Sequence, residues 1–180
     1  MEIQGKKIWL ASVTPEDLDF ICNIERDRNL WFYKESVPSN DEEVREKYLQ
    51  HIEEGADSGW YDFVVFLGAD QERTPIGLAQ IWSYIDERQS WELGFAILPA
   101  YGGCGYGSEA ADLLLQFAFN QLDAHKVVGM CNAENHRSSA LMERIGMVRE
   151  GIFREELNWN GQWTDQYYYC ILDREFHANQ

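Results

Sequence analysis

Four glycines fall within six residues, Gly102, Gly103, Gly105 and Gly107, between a strand pattern and a helix pattern. Upstream, Trp91, Leu93, Phe95 and Ile97 alternate with Glu92, Gly94, Ala96 and Leu98. That two-residue period is the mark of a strand with unlike faces. Pro99 cannot extend a hydrogen-bonded ladder and ends it. Downstream, Ala110, Leu113, Leu114, Phe117 and Ala118 share one helical stripe, opposite Glu109, Asp112, Gln116 and Asn120. Without a Cβ, the backbone of such a loop can approach a ligand and turn its N–H groups inward. The helix N-terminus adds unpaired N–H groups and the positive end of the dipole, so the unit favours a phosphate or pyrophosphate. A plain flexible connection is the alternative that the loop alone leaves open.

Phosphate loops of two common kinds fit poorly. No Gly-Lys-Ser/Thr ending is present, as a P-loop requires. Gly103-Cys104-Gly105-Tyr106-Gly107 reads G-x-G-x-G rather than the dinucleotide fingerprint G-x-G-x-x-G. It also follows three short strand patterns at 61–67, 76–84 and 91–98. Their short connections predict an antiparallel meander rather than a repeated βαβ unit.

The chain has 180 residues, enough for one domain over 1–180 with a substantial core. Its formal net charge of −16 argues against nucleic acid, whose phosphates need clustered Lys and Arg, and is compatible with a cationic substrate. Cys22, Cys104, Cys131 and Cys170 are widely spaced, and no His pair has ligand spacing, so no metal is expected. No apolar run approaches the roughly 18 residues that span a bilayer, and the start has no signal-peptide pattern. The expectation is a cytoplasmic protein with reduced thiols and no membrane partner.

Elsewhere, 7–12 reads as a strand, and Thr14-Pro15-Glu16 as the start of a helix that runs to about 28. Trp31, Phe32 and Tyr33 then form an aromatic cluster. A second helix spans 40–54, with Val44, Tyr48, Leu49 and Ile52 on one face and Asp41, Glu42, Glu43, Glu46, Glu53 and Glu54 crowded around it. A short buried strand is predicted over 126–131. A further helix opens at Asn135, with Leu141 and Ile145 on its apolar face and Gly146 as its stop. Trp159-Asn160-Gly161-Gln162 predicts a type I′ hairpin leading into a strand over 166–172.

Three of these stretches, in order, carry a resemblance. Gly105-Tyr106-Gly107-Ser108-Glu109-Ala110 resembles the acetyl-coenzyme A (acetyl-CoA) loop of the GNAT N-acetyltransferases, in the form found in the RimJ/RimL-like branch. Asn135-x-x-Ser138, with 142–147 and 148–151 after it, resembles the family's last helix and following strand, and 173–176 its ending. Gly102 and Cys104 depart from the family's Gln or Arg (or the branch's aromatic) and Lys, and Met142 stands where many relatives have Tyr. The resemblance implies an α+β GNAT fold, with a central mixed, largely antiparallel sheet and helices on both faces. It implies acetyl-CoA as co-substrate and direct acetyl transfer to a primary amine in a ternary complex. The amine would be a small molecule, such as a polyamine, or a peptide N-terminus. A non-catalytic acyl-CoA-binding module on the same fold is the alternative, and a homodimer is among the assemblies open to it.

The resemblance also implies site residues. Phe95, Ile97, Gly103, Cys104, Gly105, Tyr106, Gly107, Ser108, Asn135, Arg137 and Ser138 would hold the cofactor, with Lys126 a further phosphate candidate. Two parallel strands, 92–98 and 126–131, would splay to admit the pantetheine, leaving a backbone N–H for the thioester oxygen. An alkyl ammonium, with a pKa near the Lys value of about 10.4, must lose a proton before attack. Glu92, on the small-residue face with Gly94 and Ala96, is the first candidate base. Glu155 and Glu156 are weaker ones. Ser138 is the candidate to protonate the departing thiolate in place of the missing Tyr. Cys104 as a nucleophile is disfavoured, because no His is placed to activate it. Trp31, Phe32 and Tyr33 are candidate walls of the acceptor pocket. The neighbouring acids are either a rim for a cation or a solvated helix surface.

Overall fold

A computed structural model describes residues 1–68 and 73–178. Part of the polar turn expected between the first two meander strands, 69–72, lies outside the described residues. The strands are β1 (Glu2–Gln4), β2 (Ile8–Ser12), β3 (Trp60–Leu67), β4 (Pro75–Ile85), β5 (Ser90–Ile97), β6 (Lys126–Asn132), β7 (Val148–Trp159) and β8 (Gln162–Leu172). The helices are α1 (Leu18–Glu25), α2 (Asp41–Glu54), α3 (Tyr106–Gln121), α4 (His136–Arg144) and α5 (Asp173–Ala178). The strands form one sheet in the order β1-β2-β3-β4-β5-β6-β8-β7. Every neighbouring pair is antiparallel except β5 and β6. This is the mixed, largely antiparallel α+β sheet expected from the sequence.

Each face of the sheet is covered. On one, Leu114, Leu115 and Phe117 of α3 pack with Leu10, Phe63, Ile81 and Val127. On the other, Ile21 and Ile24 of α1 and Val44 and Tyr48 of α2 pack with Trp9, Val64, Phe66 and Leu78. Burying a large apolar side chain contributes roughly 1.5–3 kcal/mol, so these stripes hold the helices to the sheet. Leu49, expected on the inner face of α2, is instead exposed on its outer side.

Three local features differ from the expectations. β1 pairs with β2 through Ile3↔Leu10, and three mostly polar residues carry no periodic signal by which it could be foreseen. The first helix opens as a single 3-10 turn at Pro15–Asp17 and ends at Glu25. There the Thr14 N–H and hydroxyl both donate to Asp17 Oδ2, at 2.9 and 2.8 Å. β7 runs for 12 residues through two register shifts, with Glu155 at φ +52° in the second. Between β7 and β8, Asn160 and Gly161 take φ +50° and +76°, as a type I′ turn requires.

The β5–β6 seam sets up the site. The strands pair through Ser90↔Lys126, Trp91↔Val127 and Glu92↔Val128 and no further. Yet β5 continues to Ile97 and β6 to Asn132, so a gap opens above Glu92.

Candidate active site

Three structures meet at this gap: the free edge of β5, the glycine loop and the start of α4. The Leu98 N–H donates to the Ile76 carbonyl at 2.8 Å. Antiparallel alternation then turns Leu98, Ala96, Gly94 and Glu92 toward β4, and the backbone groups of Phe95 and Ile97 toward β6. Beyond Glu92 those groups face the gap. Their side chains lie on the α3 face of the sheet. Gly107 enters α3 beside them, where a Cβ would meet Phe95 and Leu141 at 3.4 Å and Ile97 at 3.7 Å. Its lack of a side chain therefore serves the packing of α3 on β5 and α4.

The loop itself is held open by two other glycines. Gly103 and Gly105 take φ +81° and +84°, left-handed conformations that cost other residues roughly 1–2 kcal/mol. Gly105 is the N-cap of α3, and no side chain caps that terminus. The backbone N–H groups at Tyr106, Gly107 and Ser108 start a helix whose dipole points at the loop. The charge that the loop lacks arrives from elsewhere. Lys7 Nζ donates to the Cys104 carbonyl at 3.1 Å, and Arg137 Nη2 stands 3.7 Å from the Cβ position of Gly102. Arg137 thus lies at the loop. Lys7, in the turn before β2, was not foreseeable from local pattern. Glu109 fixes that turn to α3 by accepting from the N–H groups of Lys6 and Lys7, at 2.5 and 2.8 Å.

Glu92 sits at the last paired position of the seam. Burial pushes its carboxyl up to about 7 from an ordinary 4.5, with Trp82, its partner across the β4–β5 ladder, pulling weakly the other way. A half-buried carboxyl near 7 can take a proton from an amine at neutral pH. Two residues down the seam, a hollow of about 620 Å³ is lined by Tyr84, Arg88, Ser90, Lys126 and Tyr168 among others. Lys126 belongs to that end. Its ammonium donates to Glu150 at 2.6 Å, seven β5 residues and about 23 Å of strand from Ile97. It is therefore not beside the glycine loop.

On α4, Asn135 is the N-cap, its Oδ1 accepting from the Ser138 N–H at 3.1 Å. Nearby at the end of β6, burial pushes the Cys131 thiol up. Met142 is buried, with its sulfur and methyl 3.3 Å from the Cβ position of Gly129, so it fills core on β6. Asn132 at the end of β6 has a buried Nδ2 without a hydrogen-bond partner among the described residues. Its Oδ1 accepts from Glu134 N–H at 2.9 Å, which fixes the amide orientation. Cys104 is exposed, its thiol 3.8 Å from the Gly102 carbonyl.

The structure divides the aromatic trio. Trp31 packs against the α1–α2 core, donates to the Ile24 carbonyl at 2.9 Å, and carries the Lys34 ammonium 3.6 Å above its ring. Phe32 and Tyr33 instead meet Trp159 of the β7–β8 hairpin, at ring distances of 5.3 and 5.4 Å. Trp159 Nε1 donates to the Phe32 carbonyl at 2.7 Å, and Asn158 N–H to Glu35 at 2.7 Å. Since α1 packs on β4 and the hairpin extends from the far edge of the sheet, this contact bridges the side of the seam that bears Glu92. Glu155 and Glu156 are exposed, and the Glu155 N–H is tied to Asp165 at 2.8 Å. Asp41, Glu42, Glu46 and Glu53 lie with Arg45 and Leu49 on the outer face of α2. Asp41 pairs with Arg26, and Glu43 accepts from the Ser39 N–H at 3.0 Å.

Residues 7–148 match the family described as Acetyltransferase (GNAT) domain. The chain is a GNAT acetyltransferase. Among its relatives is the uncharacterized N-acetyltransferase YnaD of Bacillus subtilis, 28% identical over 98% of this chain and 99% of that one. The spermidine N(1)-acetyltransferase of Vibrio cholerae is 28% identical over 96% of both chains. A crystal structure of spermidine N-acetyltransferase from Vibrio cholerae, in complex with CoA and spermine, superposes with a TM-score of 0.86. It is 28% identical and covers 96% of this chain and 99% of that one. GNAT acyltransferases use acetyl-CoA, and the features of this chain fit that donor. The loop glycines leave room for a pyrophosphate, Lys7 and Arg137 flank it, and the free backbone of Phe95 and Ile97 faces the gap.

Proposed function

We propose that this GNAT acetyltransferase acts over 1–180 as one cytoplasmic domain. It would acetylate a primary amine of cationic, polyamine-like character by direct attack in a ternary complex. The observation that carries this reading is the placement of Glu92. A half-buried carboxyl near 7 stands where the β5–β6 gap begins, with the glycine loop at the other end of the gap. The bound donor supplies an acetyl thioester. The backbone N–H groups of Phe95 and Ile97 are placed to bond its oxygens, and residues 103–108 with Arg137 and Lys7 to hold its phosphates. Glu92 takes the amine proton, directly or through water. Phe32 and Tyr33, closed over the seam by Trp159, form the acceptor wall. Ser138 is the hydroxyl proposed for the thiolate.

The polyamine-like acceptor is supported by the spermidine acetyltransferases among the relatives and by the net charge of −16, which attracts cations at long range. A peptide N-terminus, the acceptor of the RimJ/RimL-like branch, is the competing amine. Thiol release from acetyl-CoA, measured with polyamines, N-terminal peptides and neutral amines, tests the class. Polyamines should be preferred, and their kcat/KM should fall as salt rises, because steering is screened beyond about 8 Å at physiological ionic strength. Preference for an anionic amine would refute the acceptor assignment. One observation favours a second reading, an acyl-CoA-binding module without turnover: Met142 is buried in core where many relatives carry a Tyr hydroxyl. CoA binding with no thiol release from any amine would select it.

A further inference from the structure

α1 and α2 cover the β2–β4 half of one sheet face. Strand register puts Ser90, Lys126 and Tyr168 on that same face with Glu92. These residues line the hollow of about 620 Å³ at the far end of the seam. One wall of it is aromatic. Tyr168 stands between Tyr84 and Phe153, at ring distances of 6.4 and 5.7 Å and angles of 48° and 47°. Tyr84 and Phe153 keep 36% and 38% of their surface exposed, so ring area is left open to a ligand.

The other wall is built where β5 and β6 begin. Gln89 takes a left-handed φ of +48°, and its carbonyl accepts from the His125 N–H at 2.9 Å. That bond joins the two segments that carry Arg88 and His125, both of which line the hollow. Neither side chain has an ion-pair partner among the described residues. Lys126 differs, because Glu150 takes its ammonium at 2.6 Å and offsets its charge. Asp86 and Glu87 share the turn of Arg88 but do not line the hollow. Arg88 is therefore the uncompensated charge on the wall.

The chain as a whole is strongly acidic, with 15 Lys and Arg against 31 Asp and Glu. A hollow with Arg88, Lys126 and His125 on its wall, and no carboxylate, runs against that field. A cationic amine gains nothing there. A guanidinium matches a carboxylate with two parallel N–H bonds, and an imidazole can add a third donor. Rings tilted to one another meet a flat aromatic body on both edge and face. We propose that this hollow binds a small aromatic carboxylate, at a site separate from that of the acetyl donor. One uncompensated charge suits a monoanion better than a phosphate dianion, and the volume accommodates a bicyclic ring. Such an acid carries no amine and is not the acetyl acceptor. The glycine loop lies beyond Ile97, about 23 Å of strand from Ser90.

Titration of isotopically labelled protein with 2-naphthoate, followed by NMR with and without excess CoA, tests this. The amide signals of Arg88, His125, Lys126 and Tyr168 should shift in both cases, with a dissociation constant of about 1 mM or tighter. 2-Naphthylmethylamine, of similar size and opposite charge, should bind at least about tenfold more weakly, and inorganic phosphate likewise. Arg88 is exposed, so Arg88→Ala should keep the fold and weaken naphthoate about tenfold. Phe153→Ala should weaken it roughly three- to tenfold. Glu150→Gln frees Lys126 and should tighten it roughly two- to fivefold. Signals that stay in place up to about 10 mM, unchanged affinity in Arg88→Ala, or equal binding of the amine would each overturn the site. Displacement of naphthoate by CoA would put the acid at the glycine loop and overturn it as well.

Discussion

The ammonium of Lys7 reaches the backbone carbonyl of Cys104 at 3.1 Å, across 97 residues of sequence. Arg137 approaches the same loop from α4. Two cations brought by distant elements thus stand where the loop's own residues are neutral. Lys7→Ala and Arg137→Ala should each weaken CoA binding roughly three- to tenfold, with the loss shrinking at high salt. Titration calorimetry at two ionic strengths checks this, and unchanged affinity in both variants would mean that neither cation meets the phosphates.

Glu92→Gln should lower turnover by about a hundredfold or more while leaving CoA affinity intact. In the parent, kcat/KM should rise as pH passes through about 7, where the carboxyl ionises, and the variant should lose that limb. Stability moves the other way. An acid raised from 4.5 to about 7 contributes stability that is fully present below 4.5 and lost as pH rises through 7. Above about pH 8 the variant should therefore be more stable than the parent, by about 1–3 kcal/mol, and the gain should vanish in acid. Denaturant melts at the two pH values measure it. Equal stability at both would show that Glu92 titrates normally.

The loop glycines should separate into two kinds. Gly105→Val forces a side chain into a left-handed position and should reduce CoA affinity more than tenfold, at a stability cost of about 1–2 kcal/mol. Gly107→Val has ordinary backbone angles, but its side chain would be driven into Phe95 and Leu141, so destabilisation should dominate there. Calorimetry beside thermal melts distinguishes them, and the reverse ranking would contradict the packing role of Gly107.

Trp159→Ala removes the ring on which Phe32 and Tyr33 rest and the donor to the Phe32 carbonyl. The expected result is an acceptor KM raised about tenfold, with KM for acetyl-CoA unchanged. An unaltered acceptor KM would place the amine elsewhere.

Much of the framework was legible locally. The Asn160-Gly161 turn, the Asn135 cap, the α2 span and the strand–glycine–helix unit all appear at or near their expected places. Each is governed by backbone angles or side-chain period within a few residues. Leu49 and the end of α1 were misread, because a helical stripe tells which residues align and not how wide a strip the sheet will cover. Trp31 looked like one of three equivalent aromatics. Its indole N–H found the Ile24 carbonyl, while its two neighbours found a hairpin more than a hundred residues away.

What the sequence by itself determined is therefore the order and kind of the elements, the glycine loop at the start of α3, and Glu92 on the strand that leads to it. Tertiary structure decided the rest. It brought Lys7 to the loop, sent Lys126 to the far end of the seam, buried Met142 over Gly129, and laid Trp82 over Gly94. The reason is physical. Periodicity and turn chemistry act over neighbouring residues, whereas strand register and helix docking settle which distant side chains share a face. The protonation of a carboxyl such as Glu92 depends on that shared face, through how deeply it is buried.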